Sequence, residues 1–100
     1  MSRKRTTSSQ SKHDKAVRKR AEQLARQGYT VQADLKGWKQ PGTIRGVRPD
    51  IDASKGTKRV IVEVETAESI EDARAQRQAR AFTAAAKRSK DARFEKIVTD

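Results

Sequence analysis

The chain has 100 residues and a formal net charge of +11, from 24 basic and 13 acidic residues, with one histidine and no cysteine. This length allows one small domain with a modest core, and the absence of cysteine excludes disulfides and thiolate metal sites and fits a cytoplasmic protein. A single histidine argues against a histidine-rich zinc site or a Ser-His triad, and no apolar run approaches the ~18 residues of a membrane span.

Acidic and basic residues are distributed differently along the chain. Basic residues occur from end to end, whereas most of the acidic residues fall between Asp50 and Asp72. A strongly basic surface binds nucleic acid through counterion release, so we expect a nucleic acid as the partner. The alternatives are a merely solvated surface or an anionic membrane, and no amphipathic face with large apolar residues favours the membrane.

The N-terminal third of the chain divides into a tail and a helix. Residues 1–12 are rich in Ser, Thr, Lys and Arg, which predicts a disordered basic tail ahead of a single domain over residues 13–100. A helix is predicted over residues 13–28, with Gly28 as its C-cap and with Asp14 extending its apolar stripe towards the N terminus. The residues of that stripe recur at helical spacing: Val17, Ala21 and Leu24.

The rest of the chain predicts a small sheet and a second helix. The region from 36 to 46 contains three glycines and a proline, which predicts a loop or hairpin. Alternation and turn residues predict strands over residues 29–33, 46–53, 59–66 and 94–99, and a helix from about residue 67 or 70 to residue 89. Three consecutive strands favour an antiparallel meander, and the helical crossover then favours a parallel last strand. We therefore expect a mixed α/β fold.

Three carboxylates stand out in the predicted sheet. Pro49-Asp50 leads into the second strand, and alternation places Glu63 and Glu65 on one face of the third. If these strands pair, Asp50 lies beside Glu63, and such carboxylates repel one another unless a cation such as Mg2+ neutralises them. Asp50 as a turn residue and Glu63 as a solvent-facing side chain are the alternatives. The opposite face of the third strand carries core residues: Val60, Val62 and Val64.

These residues and this order of elements resemble the PD-(D/E)xK nuclease superfamily, the restriction endonuclease-like fold that includes archaeal Holliday-junction resolvases. The core of that family is also helix, three strands, helix, strand, with Pro-Asp at the second strand and acid-x-Lys on the third. Pro49-Asp50 matches the first half of the motif and Glu63-Val64-Glu65 the second, except that Glu65 replaces the usual lysine. The resemblance covers about residues 13–99.

The resemblance implies a metal-dependent nuclease that hydrolyses phosphodiester bonds in DNA, structure-selectively or non-specifically, and that acts as a homodimer. It implies that Asp50 and Glu63 bind Mg2+ or Mn2+ and that Glu65 helps to orient the attacking water. The alternative is a non-catalytic nucleic-acid-binding protein on the same fold, which the replacement of lysine by Glu65 favours. A third hypothesis is a small assembly protein whose charge serves only solubility.

Basic side chains around this motif are the expected contacts with nucleic acid. Lys36, Lys39 or Arg80 could also supply the charge of the missing lysine, and Asp14 could replace an acid that the junction-resolving branch carries on its first helix. Trp38 is expected either to stack on a base or anchor its loop, or to pack as a hydrophobic plug. The expected phosphate contacts are Arg18, Lys36, Lys39, Arg45, Arg48 and Arg80.

Overall fold

The computed structural model describes residues 7–66, 73–88 and 90–99. These residues form two helices and four strands in the predicted order of helix, three strands, helix, strand. The segment 67–72, where we expected the second helix to begin, lies outside the described residues. The elements are α1 (Thr7–Arg26), β1 (Thr30–Ala33), β2 (Ile51–Lys55), β3 (Lys58–Thr66), α2 (Ala73–Ala86) and β4 (Ala92–Thr99).

The four strands form one mixed sheet in the order β1-β2-β3-β4. The first two pairs are antiparallel and β4 is parallel to β3, as the sequence predicted. A two-residue turn joins β2 to β3, and Gly56 adopts the positive φ of 59° that such hairpins require at this position. β3 thus lies inside the sheet, and β4 forms an edge.

The two helices cover opposite faces of the sheet. The apolar stripe of α1 is fully buried against β2 and β3, and the alternate valines of β3 lie in this core as predicted. On the other face Phe82 of α2 packs on Phe94 of β4, with ring centroids 5.8 Å apart. The buried residues shared by α1 and the sheet are Val17, Ala21, Leu24, Ala33, Ile51, Ala53, Val60, Val62 and Val64.

The two largest differences from the predicted element boundaries are at the starts of α1 and β2. Helix α1 begins at Thr7, so residues 7–12, which we expected in a disordered tail, are helical. These first turns are polar, so no apolar stripe signals them, and Gln10 donates a hydrogen bond of 2.8 Å to Asp14 one turn on. Strand β2 begins at Ile51 rather than at residue 46.

The late start of β2 has a local cause. Ile44 and Val47 pair with each other across a turn in which Arg45 and Gly46 both have positive φ, 52° and 79°. This is the pattern of a type I′ hairpin, so the backbone there is committed to a small hairpin of its own. Pro49 has no N–H to offer to a neighbouring strand, which delays pairing further.

Within the described residues, no helix is long and apolar enough to cross a membrane.

Candidate functional site

The three acidic residues singled out in the sequence are all buried. Asp50, Glu63 and Glu65 are 8%, 5% and 2% exposed, and we call them the carboxylate cluster. Ile51 pairs with Val62, so the next residues beyond this pair, Asp50 and Glu63, face each other across the two strands. The contact with Glu63 is one of those that lower the pKa of Asp50. The expected juxtaposition of Asp50 with Glu63 is confirmed.

The backbone explains how Asp50 is held. The amide of Val64 lies beyond the last pair of the β2–β3 ladder and donates to Asp50 Oδ2 at 2.8 Å. The Asp50 side chain therefore replaces the carbonyl that a longer β2 would have supplied. This bond fixes the carboxylate at the end of the sheet, next to the two glutamates of β3.

The histidine of α1 contributes to this site, which the sequence analysis did not predict. His13 is 5% exposed, with its Nε2 lying 3.2 Å from Asp50 Oδ2 and its Nδ1 lying 3.1 Å from Asp14 Oδ1. Both ring nitrogens thus face carboxylate oxygens, and only a doubly protonated imidazole can donate from both. In that form His13 places a positive charge from helix α1 beside the cluster.

His13 could have been recognised from its spacing. It lies four residues before Val17 and so continues the buried stripe of α1, a position that we assigned to Asp14. Asp14 is only half-buried and reaches the cluster indirectly, through its bond to His13. The residue in direct contact with Asp50 is thus a cation instead of the expected acid.

The surroundings of Asp50 favour its ionised form. Burial acts to raise the pKa of Asp50, but the hydrogen bonds with His13 and Glu63, the charge of His13 and the Val64 amide together lower it below its ordinary value of 3.8. Asp50 is therefore a carboxylate at neutral pH, stabilised by groups on α1 and β3.

The donor atoms of the cluster suit a hard divalent cation in kind. Mg2+ is commonly bound by one or two carboxylates together with water and phosphate oxygens, and Asp50 and Glu63 provide such a pair. In the parts of the chain that the structure describes, no group of three or more His, Cys, Asp or Glu side chains is arranged to hold a metal ion. An ion between Asp50 and Glu63 would compete with His13 for Asp50.

A second carboxylate on β2 is engaged differently. Asp52 accepts two hydrogen bonds from Arg59, from Nε at 2.9 Å and from Nη2 at 2.7 Å. The hydrogen bond to Asp52 raises the pKa of Arg59. This closed pair keeps Asp52 apart from the carboxylate cluster, although alternation along β2 directs Asp50 and Asp52 to one face.

The basic residues expected to contact nucleic acid are all on the surface. Arg18 lies on α1 and Arg80 on α2, and the other four lie in the loop that joins β1 to β2. Trp38, in the same loop, is half-buried and packs against the core, which agrees with an anchoring or packing role. The exposed residues are Arg18, Lys36, Lys39, Arg45, Arg48 and Arg80.

Comparison with known proteins adds no relative to this picture. No protein-family model, no curated protein and no solved structure matches the chain. The function of the site is therefore argued from its own residues: three buried carboxylates, one buried imidazole and an exposed basic surface. Such an arrangement can hold a cation, orient a water and bind phosphate groups nearby.

Proposed function

We propose that this protein is a cytoplasmic, metal-dependent nuclease on a restriction endonuclease-like core, which hydrolyses phosphodiester bonds in DNA. The observation that carries the proposal is the burial of Asp50, Glu63 and Glu65, with Asp50 beside Glu63 at the end of the β2–β3 pairing, in a protein with a net charge of +11. An acidic site inside a basic protein is suited to chemistry on phosphate.

The burial of these acids supports a functional role because it is costly for folding. Removing a carboxylate from water costs several kcal/mol. Only good hydrogen bonds and nearby opposite charges offset a cost of this size. The chain nevertheless places Glu63 and Glu65 on its interior strand, where apolar residues would pack without that cost. The contacts of Asp50 with His13 and with the Val64 amide offset part of this cost. A divalent cation would offset it more fully.

Each residue of the cluster then has a role in hydrolysis. Asp50 and Glu63 would hold Mg2+ or Mn2+, which when bound polarises the scissile phosphate and makes an adjacent water more acidic. Glu65 lies two residues beyond Glu63 on β3 and accepts a proton from the attacking water. The Val64 amide and His13 position Asp50.

The exposed cations bind phosphates on either side of the scissile bond. Contacts of this kind fix the position of a duplex without reading its sequence, so cleavage is structure-selective or non-specific. One domain of this size covers little duplex, and we propose that two copies act as a homodimer with two-fold symmetry.

A cleavage assay with a matched control tests this function. Supercoiled plasmid, single-stranded DNA and a four-way junction are incubated with the protein in Mg2+, Mn2+ or EDTA. We expect metal-dependent cleavage that falls at least about 100-fold in Asp50→Asn and Glu63→Gln. Asp52→Asn is the control, because it removes the same charge two residues further along the chain, from a carboxylate that Arg59 already holds. Cleavage in EDTA, or equal loss in all three variants, would contradict the proposal.

A non-catalytic nucleic-acid-binding protein is the second candidate. Two observations favour it: Glu65 stands where the resembling family has lysine, and His13 already contacts the Asp50 oxygen that a metal ion would use. This candidate predicts salt-sensitive binding with no cleavage in any metal. Under it, Asp50→Asn and Glu63→Gln bind DNA as the unaltered protein does.

A further inference from the structure

A groove runs between helix α1 and the edge strand β4, on the flank of the domain. Its volume is about 510 Å3, and residues from both elements line it. The ion pair between Arg20 and Glu95 fixes its width, with Arg20 Nε at 2.6 Å and Nη2 at 2.9 Å from the two carboxylate oxygens of Glu95. The groove is thus a built feature of the packing between α1 and the sheet.

The residues that line this groove are basic on one side and apolar on the other, which suits an anionic ligand with apolar parts. Lys12, Lys15 and Lys19 follow one another at helical spacing along its α1 side, and all three are exposed. None of the described residues that line the groove is acidic. Ile97 and Val98 of β4 line its other side, and Val98 remains 51% exposed. A chain of phosphates joined by sugars matches this combination of charge and apolar surface.

The groove adjoins the carboxylate cluster. Val98 pairs with Glu65 in the register of β3 and β4. Lys12 directly precedes His13, whose Nε2 contacts Asp50. A nucleic-acid strand that lies along the lysines therefore also lies near the acidic residues. The separation is about one turn along α1 or a few residues along β4.

We propose that this groove binds the phosphate backbone of the nucleic-acid segment that flanks the candidate site. This inference rests on the proposed function only for the class of ligand, a nucleic acid, and it does not depend on cleavage. A second copy of the chain could instead pair with the open edge of β4. The lysines argue against that occupant, because two copies that meet at this edge bring two sets of like charges together.

Charge removal tests the groove against the rest of the basic surface. We compare Lys12→Gln/Lys15→Gln/Lys19→Gln with Lys58→Gln/Lys87→Gln/Lys90→Gln, a control that removes the same charge from exposed lysines elsewhere. Binding of a labelled duplex is measured by fluorescence anisotropy in EDTA over a range of salt concentrations. We expect the slope of log affinity against log salt to shrink by about 2 to 3 in the groove variant, since each lost phosphate contact contributes about 0.9. Equal effects in both variants would overturn the proposal.

A single cysteine locates the occupant directly, because the chain has none of its own. Val98→Cys places a thiol on a residue that lines the groove, and Ser54→Cys places one at an exposed position near the opposite end of the sheet. We expect duplex DNA to slow alkylation of the cysteine at position 98 several-fold and to leave the one at position 54 unchanged. Protection at position 98 that needs no DNA and grows with protein concentration would identify a second copy and overturn the proposal.

The two assays separate this inference from the proposed nuclease. A protein that cleaves DNA but shows no groove effect retains the proposed function and loses the inference. A protein that never cleaves, but shows both the reduced salt slope and the protection by DNA, retains the inference and supports the binding candidate.

Discussion

Asp50 and Asp52 are two residues apart, but different kinds of group hold their carboxylates. Asp52 is bound by an arginine that is 40% exposed in its side chain, through two parallel hydrogen bonds. Asp50 is bound by a buried histidine, a backbone amide and another carboxyl group. The first is a closed pair with a permanent charge, whereas the second includes an imidazole, whose charge depends on its protonation.

The comparison contrasts a carboxylate held by an arginine with one that the proposed function places in the active site. Arginine remains charged at any ordinary pH and matches a carboxylate geometrically, so Asp52 has little to offer a ligand. Imidazole and carboxyl groups exchange protons readily, so Asp50 and Glu63 can exchange one hydrogen-bonding or ionic partner for another. The predictions that follow test this contrast, beginning with the largest expected effect.

Replacing Asp50 is expected to destabilise the fold strongly. Asp50→Ala leaves the buried charge of His13 and the amide of Val64 without this partner. Breaking a buried ion pair in this way costs about 3 to 5 kcal/mol in the free energy of unfolding. Urea denaturation at neutral pH measures the change, and Asp52→Ala serves as the comparison.

The effect of Asp50→Ala should also depend on pH. The folded pKa of Asp50 lies below its ordinary value, so its contribution to stability is complete above the unfolded pKa of about 3.9 and is lost as the pH falls through the lower folded value. The stability difference between the protein and Asp50→Ala should therefore narrow in acid. A difference that stays constant down to about pH 2 would show that the charge of Asp50 is not what stabilises the fold.

Replacing His13 is expected to have an intermediate effect. His13→Gln keeps a hydrogen-bond donor and removes the charge, which should lower the free energy of unfolding by about 2 kcal/mol. Mg2+ should then raise Tm more in the variant than in the unaltered protein, since no imidazolium competes for Asp50. Differential scanning calorimetry with and without Mg2+ measures both effects. A smaller Mg2+ shift in the variant would show that His13 helps to hold the ion.

Breaking the Asp52–Arg59 pair is expected to have the smallest effect. Both Asp52→Asn and Arg59→Gln should lower stability by about 0.2 to 1 kcal/mol, the range of exposed ion pairs. Urea denaturation at low and high salt checks this, because screening should shrink the difference further. A loss as large as that of Asp50→Ala would mean that the two aspartates do not differ as proposed.

Much of the architecture followed from periodicity. The alternating valines of β3 identified the core face, and the helical crossover before β4 indicated its parallel direction. The juxtaposition of Asp50 with Glu63 also followed, because it needed only two paired strands and alternation. The start of α1 was missed, since its first turns are polar.

The partners of the cluster were beyond local sequence reasoning. His13 and Asp50 are 37 residues apart, and their contact depends on how α1 is rotated and placed on the sheet. Arg59 could have faced solvent, and only the observed hairpin register brings it to Asp52. Hydrophobic periodicity reports which face of an element is buried, but it does not report which polar groups meet at the end of a sheet.

The sequence by itself thus determined the order of the elements, the core face of β3 and the position of two acids beside each other, because strand alternation and helix periodicity are local. Only the tertiary structure decided that Asp50 is held by a buried histidine and Asp52 by an arginine. It also decided that three lysines of α1 border a groove along β4. These contacts join residues that are distant in the chain, so they arise only when helix and sheet pack together.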